Sequence, residues 1–183
     1  LLYHGTTGRW PAEKLIRESA TRMRGPGLKM AESVTINRSI EEVYRYWRNL
    51  ENLPRFMQHL QSVEQLSNGR SRWRVKVPNT EITIQWEAEI TDEHQNELIA
   101  WRSLPDAVIS NEGTVHFKPA PAGRGTEVHA SILYRPPAGA IGAAVARLVN
   151  ALPAQMVKED LRRFKQVMEA GESPTIGGQP SGG

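Results

Sequence analysis

Residues 72–77 read Arg72-Trp73-Arg74-Val75-Lys76-Val77, and residues 82–91 read Ile82-Thr83-Ile84-Gln85-Trp86-Glu87-Ala88-Glu89-Ile90-Thr91. Apolar and polar side chains alternate through both stretches. Successive residues of a strand point to opposite faces, so Trp73, Val75 and Val77 share one side while Arg72, Arg74 and Lys76 share the other. The second stretch repeats this, with Ile82, Ile84, Trp86, Ala88 and Ile90 against Thr83, Gln85, Glu87, Glu89 and Thr91. Such regular period-two patterning predicts neighbouring antiparallel strands with one buried face and one wet face.

Working outward, further strands are expected near Glu97–Leu104, Ile109–Lys118 and Thr126–Arg135. The last two are joined by the turn-rich Pro119-Ala120-Pro121-Ala122-Gly123-Arg124-Gly125. His59–Leu66 reads as a strand of poorer pattern, and Ser33–Arg38 as an earlier one with Val34 and Ile36 on one face. Ser39-Ile40-Glu41-Glu42 is a capping box, in which Ser39 and Glu42 satisfy each other's backbone donors. The helix it opens sets Ile40, Val43, Tyr44 and Trp47 in one apolar stripe. A second short helix is expected over Leu50–Met57, with Pro54 in its first turns, where a missing N–H is tolerated. At the far end Ala140–Val149 reads as helix, Asn150-Ala151-Leu152-Pro153 interrupts it, and a long helix follows to Ala170. Its apolar set is Met156, Val157, Leu161, Phe164 and Met168, and Gly171 fits the stop. The class is therefore α+β.

The 183 residues, 39% hydrophobic and 23% charged, suit one globular domain. The chain has no cysteine, which excludes disulfides, thiolate catalysis and Cys-based zinc sites. No apolar run approaches the roughly 20 residues that span a bilayer, and no signal-peptide pattern is present, so a cytoplasmic location is expected. Charge is uneven. Residues 1–30 hold six Lys/Arg against Glu13 and Glu18, a balance of +4 in a chain whose total is +3. Three regions are expected: a basic arm over 1–30 with a short helix around Ala12–Met23, a folded body over 31–170, and a tail over 171–183. That tail has five glycines and two prolines and reads as disordered. A basic arm suits an anionic membrane surface or nucleic acid, and a solvated linker is the reading favoured over either.

The order of strand, two short helices, about six to seven antiparallel strands and a long final helix resembles the helix-grip fold. The chain resembles the START-like polyketide cyclase/dehydrase and lipid-transport superfamily, close to its bacterial coenzyme-Q-binding-type members. The resemblance covers about residues 33–170. It rests on Ile36-Asn37-Arg38-Ser39-Ile40-Glu41-Glu42-Val43-Tyr44, on Trp47 through Leu53-Pro54-Arg55-Phe56, and on Ile99-Ala100-Trp101-Arg102-Ser103. Gly113-Thr114-Val115-His116-Phe117, Gly123-Arg124-Gly125-Thr126-Glu127-Val128 and Asp160-Leu161-Arg162-Arg163-Phe164-Lys165 add to it. It implies a curved sheet wrapped around the last helix with an elongated apolar cavity between them. Some relatives carry membrane-spanning segments before the domain, so the resemblance also implies an upstream tether to the inner membrane, with residues 1–30 beside it.

Alternation alone sets Trp73, Val75, Ile84, Trp86, Ala88, Trp101, Val115, Phe117, Val128, Ala130 and Ile132 on the inward rows. Most of these fill a core. Three tryptophans on adjacent strands beside small Ala88, Gly113 and Ala130 favour a cavity, with Tyr134, Ser103 and Asn111 as polar groups that orient a ligand. The candidate ligand-binding residues are Trp73, Trp86, Trp101, Ser103, Asn111, Val115, Phe117, Ala130, Tyr134 and Phe164. No carboxylate or histidine interrupts the inward rows, so no catalytic residue is assigned. His116 and His129 alternate outward beside Glu127 and make a poor metal site. No phosphate loop, dinucleotide fingerprint or nucleophile elbow is present, so no cofactor or metal is expected. Arg70, Arg72, Arg74 and Lys76 form a basic edge, but Glu87 and Glu89 on the next strand offset it, so no nucleic-acid partner is expected. The leading reading is a domain that binds a hydrophobic small molecule such as a lipid or quinone. The second is a cyclase/dehydratase-type enzyme with Tyr134 or a rim residue moving protons, and the third a protein-interaction module.

Overall fold

The computed structural model describes residues 27–77, 79–135 and 154–170. Seven strands form one antiparallel sheet: β1 (Leu28–Ile36), β2 (Leu60–Gln65), β3 (Arg70–Lys76), β4 (Thr83–His94), β5 (Leu98–Ser103), β6 (Ser110–Pro119) and β7 (Thr126–Arg135). Their order is β1-β7-β6-β5-β4-β3-β2, so the first two strands stand at opposite edges. Between them in the chain come α1 (Ile40–Arg48) and a 3₁₀ helix (Leu50–Arg55), and the chain ends in α2 (Ala154–Ala170). The expected α+β helix-grip architecture is the one observed. The expected helices over 12–23 and 140–149 and the tail over 171–183 lie outside the described residues.

Three local differences from the sequence reading have physical causes. β1 begins at Leu28, five residues before the expected start, because it stays in register with β7 back to the Leu28–Tyr134 pair. It ends at Ile36, because the next two residues leave the sheet to cap the final helix. The Asn37 backbone N–H donates to Glu169 Oε1 at 2.9 Å, and Arg38 Nε donates to the Met168 carbonyl at 2.9 Å. Carbonyls at a helix C-terminus lack intrahelical donors, and a guanidinium meets that need with favourable charge. The second short helix is 3₁₀ and ends at Arg55. Pro54 has no N–H for a helical ladder, and the chain closes with shorter bonds such as Asn52 N–H to the Asn49 carbonyl at 2.9 Å.

The capping box forms as expected. Glu42 N–H donates to Ser39 Oγ at 3.3 Å, and Ser39 N–H donates to Glu42 Oε2 at 3.1 Å. Val43, Tyr44 and Trp47 on the apolar stripe of α1 are buried. From α2, Val157, Leu161 and Phe164 enter the same core. The inward-row positions from Trp73 through Ile132 are buried, but Ile82, expected on the same face, precedes β4 and is 49% exposed, and Ile90 is only half-buried. On the wet face Arg72 pairs with Glu87 at 3.1 Å and Glu64 at 3.4 Å, and Arg102 with Glu89 at 2.9 Å. No helix among the described residues is long and apolar enough to cross a membrane.

Candidate functional site

The inner face carries two aromatic groups. One surrounds Phe164, whose ring lies 4.6 Å from Phe56, 5.1 Å from Trp47 and 5.9 Å from Tyr46. Phe117 joins it from β6 through Trp47 at 6.4 Å and Tyr44 at 5.5 Å. The other group is a rank of indoles on β3, β4 and β5. Trp73 stacks on Trp86 at 6.0 Å and 19°, and on Trp101 at 6.2 Å and 17°. The register places Trp73 opposite Trp86 and Trp101 opposite Gly113. Gly113 is what lets the Trp101 ring lie flat across β6, since a Cβ there would overlap the indole.

Hydrogen bonds fix the rank. Trp73 Nε1 donates to Ser71 Oγ at 2.8 Å, and Trp101 Nε1 donates to Asn111 Oδ1 at 2.9 Å. The Asn111 N–H donates in turn to Ser103 Oγ at 3.0 Å, and the Asn111 side chain also bonds to Tyr134. Ser71, Ser103, Asn111 and Tyr134 are all buried, so each polar atom matched here avoids a desolvation loss. Burial pushes the Tyr134 hydroxyl well above its ordinary 10.0, and the charge of Asp160 pushes it further, against the Asn111 hydrogen bond.

Between this wall and the helical layer lies a cavity of ≈ 10 Å³. The sheet contributes Trp73, Trp101, Asn111, Ile132 and Tyr134, and the helical layer Trp47, Leu50, Leu53, Met57 and His59. The resemblance implies an elongated apolar cavity. The lining is indeed mostly apolar, but the side chains of the described residues close the space to about the volume of one water. Of the candidate ligand-binding residues, Trp73, Trp101, Asn111 and Tyr134 come together on this lining. Ser103 stands behind Asn111, and Trp86 stacks behind Trp73. Val115, Phe117, Ala130 and Phe164 are buried in the packed core and do not line this cavity.

The strand rows lack acids and histidines, but the interior does not. His59 precedes β2 and Asp160 lies on α2. His59 Nδ1 is 3.4 Å from Asp160 Oδ2, with side-chain exposures of 8% and 4%. Asp160 Oδ1 accepts from Arg163 Nη1 at 3.0 Å, while His59 Nδ1 is buried without a hydrogen-bond partner. Strand alternation does not reveal this pair, because β2 begins at Leu60, one residue after the expected start at His59, and Asp160 is on a helix. A helical signal was present, however. Asp160 is three residues after Val157 and four before Phe164, on the buried stripe of α2.

Two other clusters lie outside the cavity. His116 and His129 are cross-strand neighbours, and His129 Nε2 is 3.3 Å from Glu127 Oε2. Burial lowers the His116 pKa from 6.5, aided by the charges of His129 and Lys118. On α1, Tyr44 Oη donates to Glu93 Oε1 at 2.5 Å, and Arg48 Nε donates to the same oxygen at 2.6 Å. Burial and the Glu93 hydrogen bond push Tyr44 up to about 12. Burial alone would raise Glu93, yet the bonds from Arg48 and Tyr44 hold it below the ordinary 4.5.

Comparison with known proteins bears on this geometry. A family model described as polyketide cyclase/dehydrase and lipid transport matches residues 27–169. A crystal structure from Deinococcus radiodurans is 43% identical, with a TM-score of 0.65, covering 79% of this chain and 98% of that one. A Thermus thermophilus structure is 26% identical, with a TM-score of 0.58 and coverage of 81% and 100%. The Zhui aromatase/cyclase from a Streptomyces species is 16% identical, with a TM-score of 0.61 and coverage of 81% and 100%, a likeness of fold alone. An uncharacterised 17.2 kDa protein of Streptomyces lincolnensis is 26% identical over 76 residues, which span 42% of this chain and 49% of that protein.

Proposed function

Because the chain belongs to the polyketide cyclase/dehydrase and lipid transport family, we propose that it binds a hydrophobic small molecule, a lipid or a quinone, against the tryptophan wall. The observation that supports this best is the stacked pair Trp73 and Trp101, fixed through Asn111 and facing a cavity whose polar groups gather at Tyr134 and His59. Ligand sites combine an apolar lining with a few placed polar groups in this way, but typically with about 300 Å³ or more of space. Binding therefore has to part the side chains that close the cavity. Met57 is the lining residue best built to move, since an unbranched thioether repacks easily.

Native mass spectrometry of the purified protein tests for a co-purified lipid or quinone. A quinone titration should change tryptophan fluorescence saturably, and Trp101→Phe should reduce that change while the domain stays folded. No bound mass and no saturation would overturn the reading. One observation favours a second reading, chemistry on the bound molecule. His59 and Tyr134 line the cavity and Asp160 stands beside them, so groups able to move protons face the ligand space. A time-dependent mass change in the bound molecule, lost in His59→Gln, would move the assignment to an enzyme.

The basic residues before β1 extend the proposal to an anionic membrane surface. Removing residues 1–26, which stops short of β1, should weaken sedimentation with phosphatidylserine vesicles and leave the melting temperature nearly unchanged. Equal sedimentation of both forms would remove the membrane from the proposal.

A further inference from the structure

His59 stands immediately before β2, nine-tenths buried, with Nδ1 unmatched by any hydrogen bond. Unpaired buried polar atoms are rare in folded proteins, and His59 is also one of the residues that line the cavity, so its imidazole bears on what the cavity receives. The space beside it, ≈ 10 Å³, is the size at which one oxygen-bearing group fits. Asp160 Oδ2 lies 3.4 Å from the same nitrogen, while Asp160 Oδ1 is already engaged by Arg163 Nη1 at 3.0 Å. Tyr134 shares the lining, and its hydroxyl lies within the influence of the Asp160 charge.

We propose that His59 anchors a neutral oxygen function, a hydroxyl or a carbonyl, at the leading end of the hydrophobic ligand. This rests on the ligand-binding reading above and goes further by naming the end group. A plain hydrocarbon leaves the imidazole nitrogen unmatched. A carboxylate meets the Asp160 charge immediately behind His59, with Arg163 already committed to that residue. A neutral oxygen satisfies the nitrogen without either loss. The stacked faces of Trp73 and Trp101 suit a planar ring behind that oxygen.

Three probes with one ring system separate these cases: 1-naphthol, naphthalene and 1-naphthoate, titrated while the tryptophan indole N–H signals are followed by NMR. Naphthol should bind about tenfold tighter than either of the others, the size of one net hydrogen bond. His59→Phe keeps a ring but no hydrogen-bonding atom, and should bring naphthol down to the naphthalene level without weakening naphthalene. Asp160→Asn keeps the shape and removes the charge, and should improve naphthoate about tenfold. Naphthalene binding as tightly as naphthol, or a preference for naphthol that survives in His59→Phe, overturns the anchor and leaves ligand binding standing. If none of the three shifts an indole signal saturably, the ligand-binding reading fails and the anchor falls with it.

Discussion

The rings around Phe164, all buried but the half-buried Tyr46, and the buried rank of Trp73, Trp86 and Trp101 are built differently. Around Phe164 the rings come from α1, the segment after the 3₁₀ helix, β6 and α2, and meet at angles from 30° to 80°. Tilted rings from several elements interlock and leave little space. The indoles come from three consecutive strands and lie within 17° to 19° of parallel, with Trp86 set opposite Trp73 by register and the Trp101 ring given room by Gly113. A rank of parallel plates presents one flat side, and the cavity is found there. Aromatic content and burial are thus poor guides to where a protein holds a ligand. The number of elements supplying the rings is the better guide.

The contrast predicts its own breaking points. Phe164→Ala should have the largest effect, about 3–5 kcal/mol in chemical unfolding, since its neighbours are locked from several sides and cannot collapse into the hole. A loss under about 1 kcal/mol would mean that this cluster is no tighter than the other. Gly113→Ala should cost about 1–3 kcal/mol, because its methyl would drive the Trp101 indole off β6. The near-ultraviolet circular dichroism of the stacked indoles should weaken with it. An unchanged spectrum would show that the rank does not depend on that glycine.

Trp101→Phe should cost more than Trp86→Phe by about 1 kcal/mol. The first strands the Asn111 oxygen without its donor, whereas Trp86 Nε1 is buried with no partner to lose. Equal losses would mean that ring volume alone sets the energetics of the wall. The smallest effect belongs outside both clusters. Glu93 is held below the ordinary 4.5 by Arg48 and Tyr44, so its stabilisation is fully present above that value and is lost as pH falls through the depressed one. Glu93→Gln should lower the free energy of urea unfolding slightly near neutral pH, by about 0.2–1 kcal/mol, and the gap should close as the pH falls below the ordinary 4.5 and through the depressed value. A gap that persists in acid would assign the effect to shape and not charge.

The same contrast explains what was legible in advance. The inward rows through Trp73, Trp86, Trp101, Val115, Phe117 and Ala130 followed from period two, because a strand's pleat acts on every residue alike. Capping by Ser39 and Glu42 followed from local chemistry. Alternation did not separate Phe117 and Phe164, which pack solidly, from Trp73 and Trp101, which face a gap. Facing direction is a property of one strand, whereas a gap depends on what the opposite layer brings. The His59–Asp160 pair was hidden for the same reason, since its members arrive from a turn and a helix that meet only in three dimensions.

Among the described residues β1 sits at one edge of the sheet with β7 as its only strand neighbour, and their nearest paired residues, Ile36 and Thr126, are about 90 residues apart. During synthesis the first strand therefore leaves the ribosome well before the strand it must pair with. At about 5–20 residues per second the delay is roughly 5–18 s. Over that interval Met30, Val34 and Ile36 stand on an unpaired strand, a template for pairing with another nascent chain. Closure of the first strand onto the last also waits on a long loop, which places the step among the slow ones in folding. Aggregation during expression should therefore respond to changes in β1 that leave the finished domain equally stable.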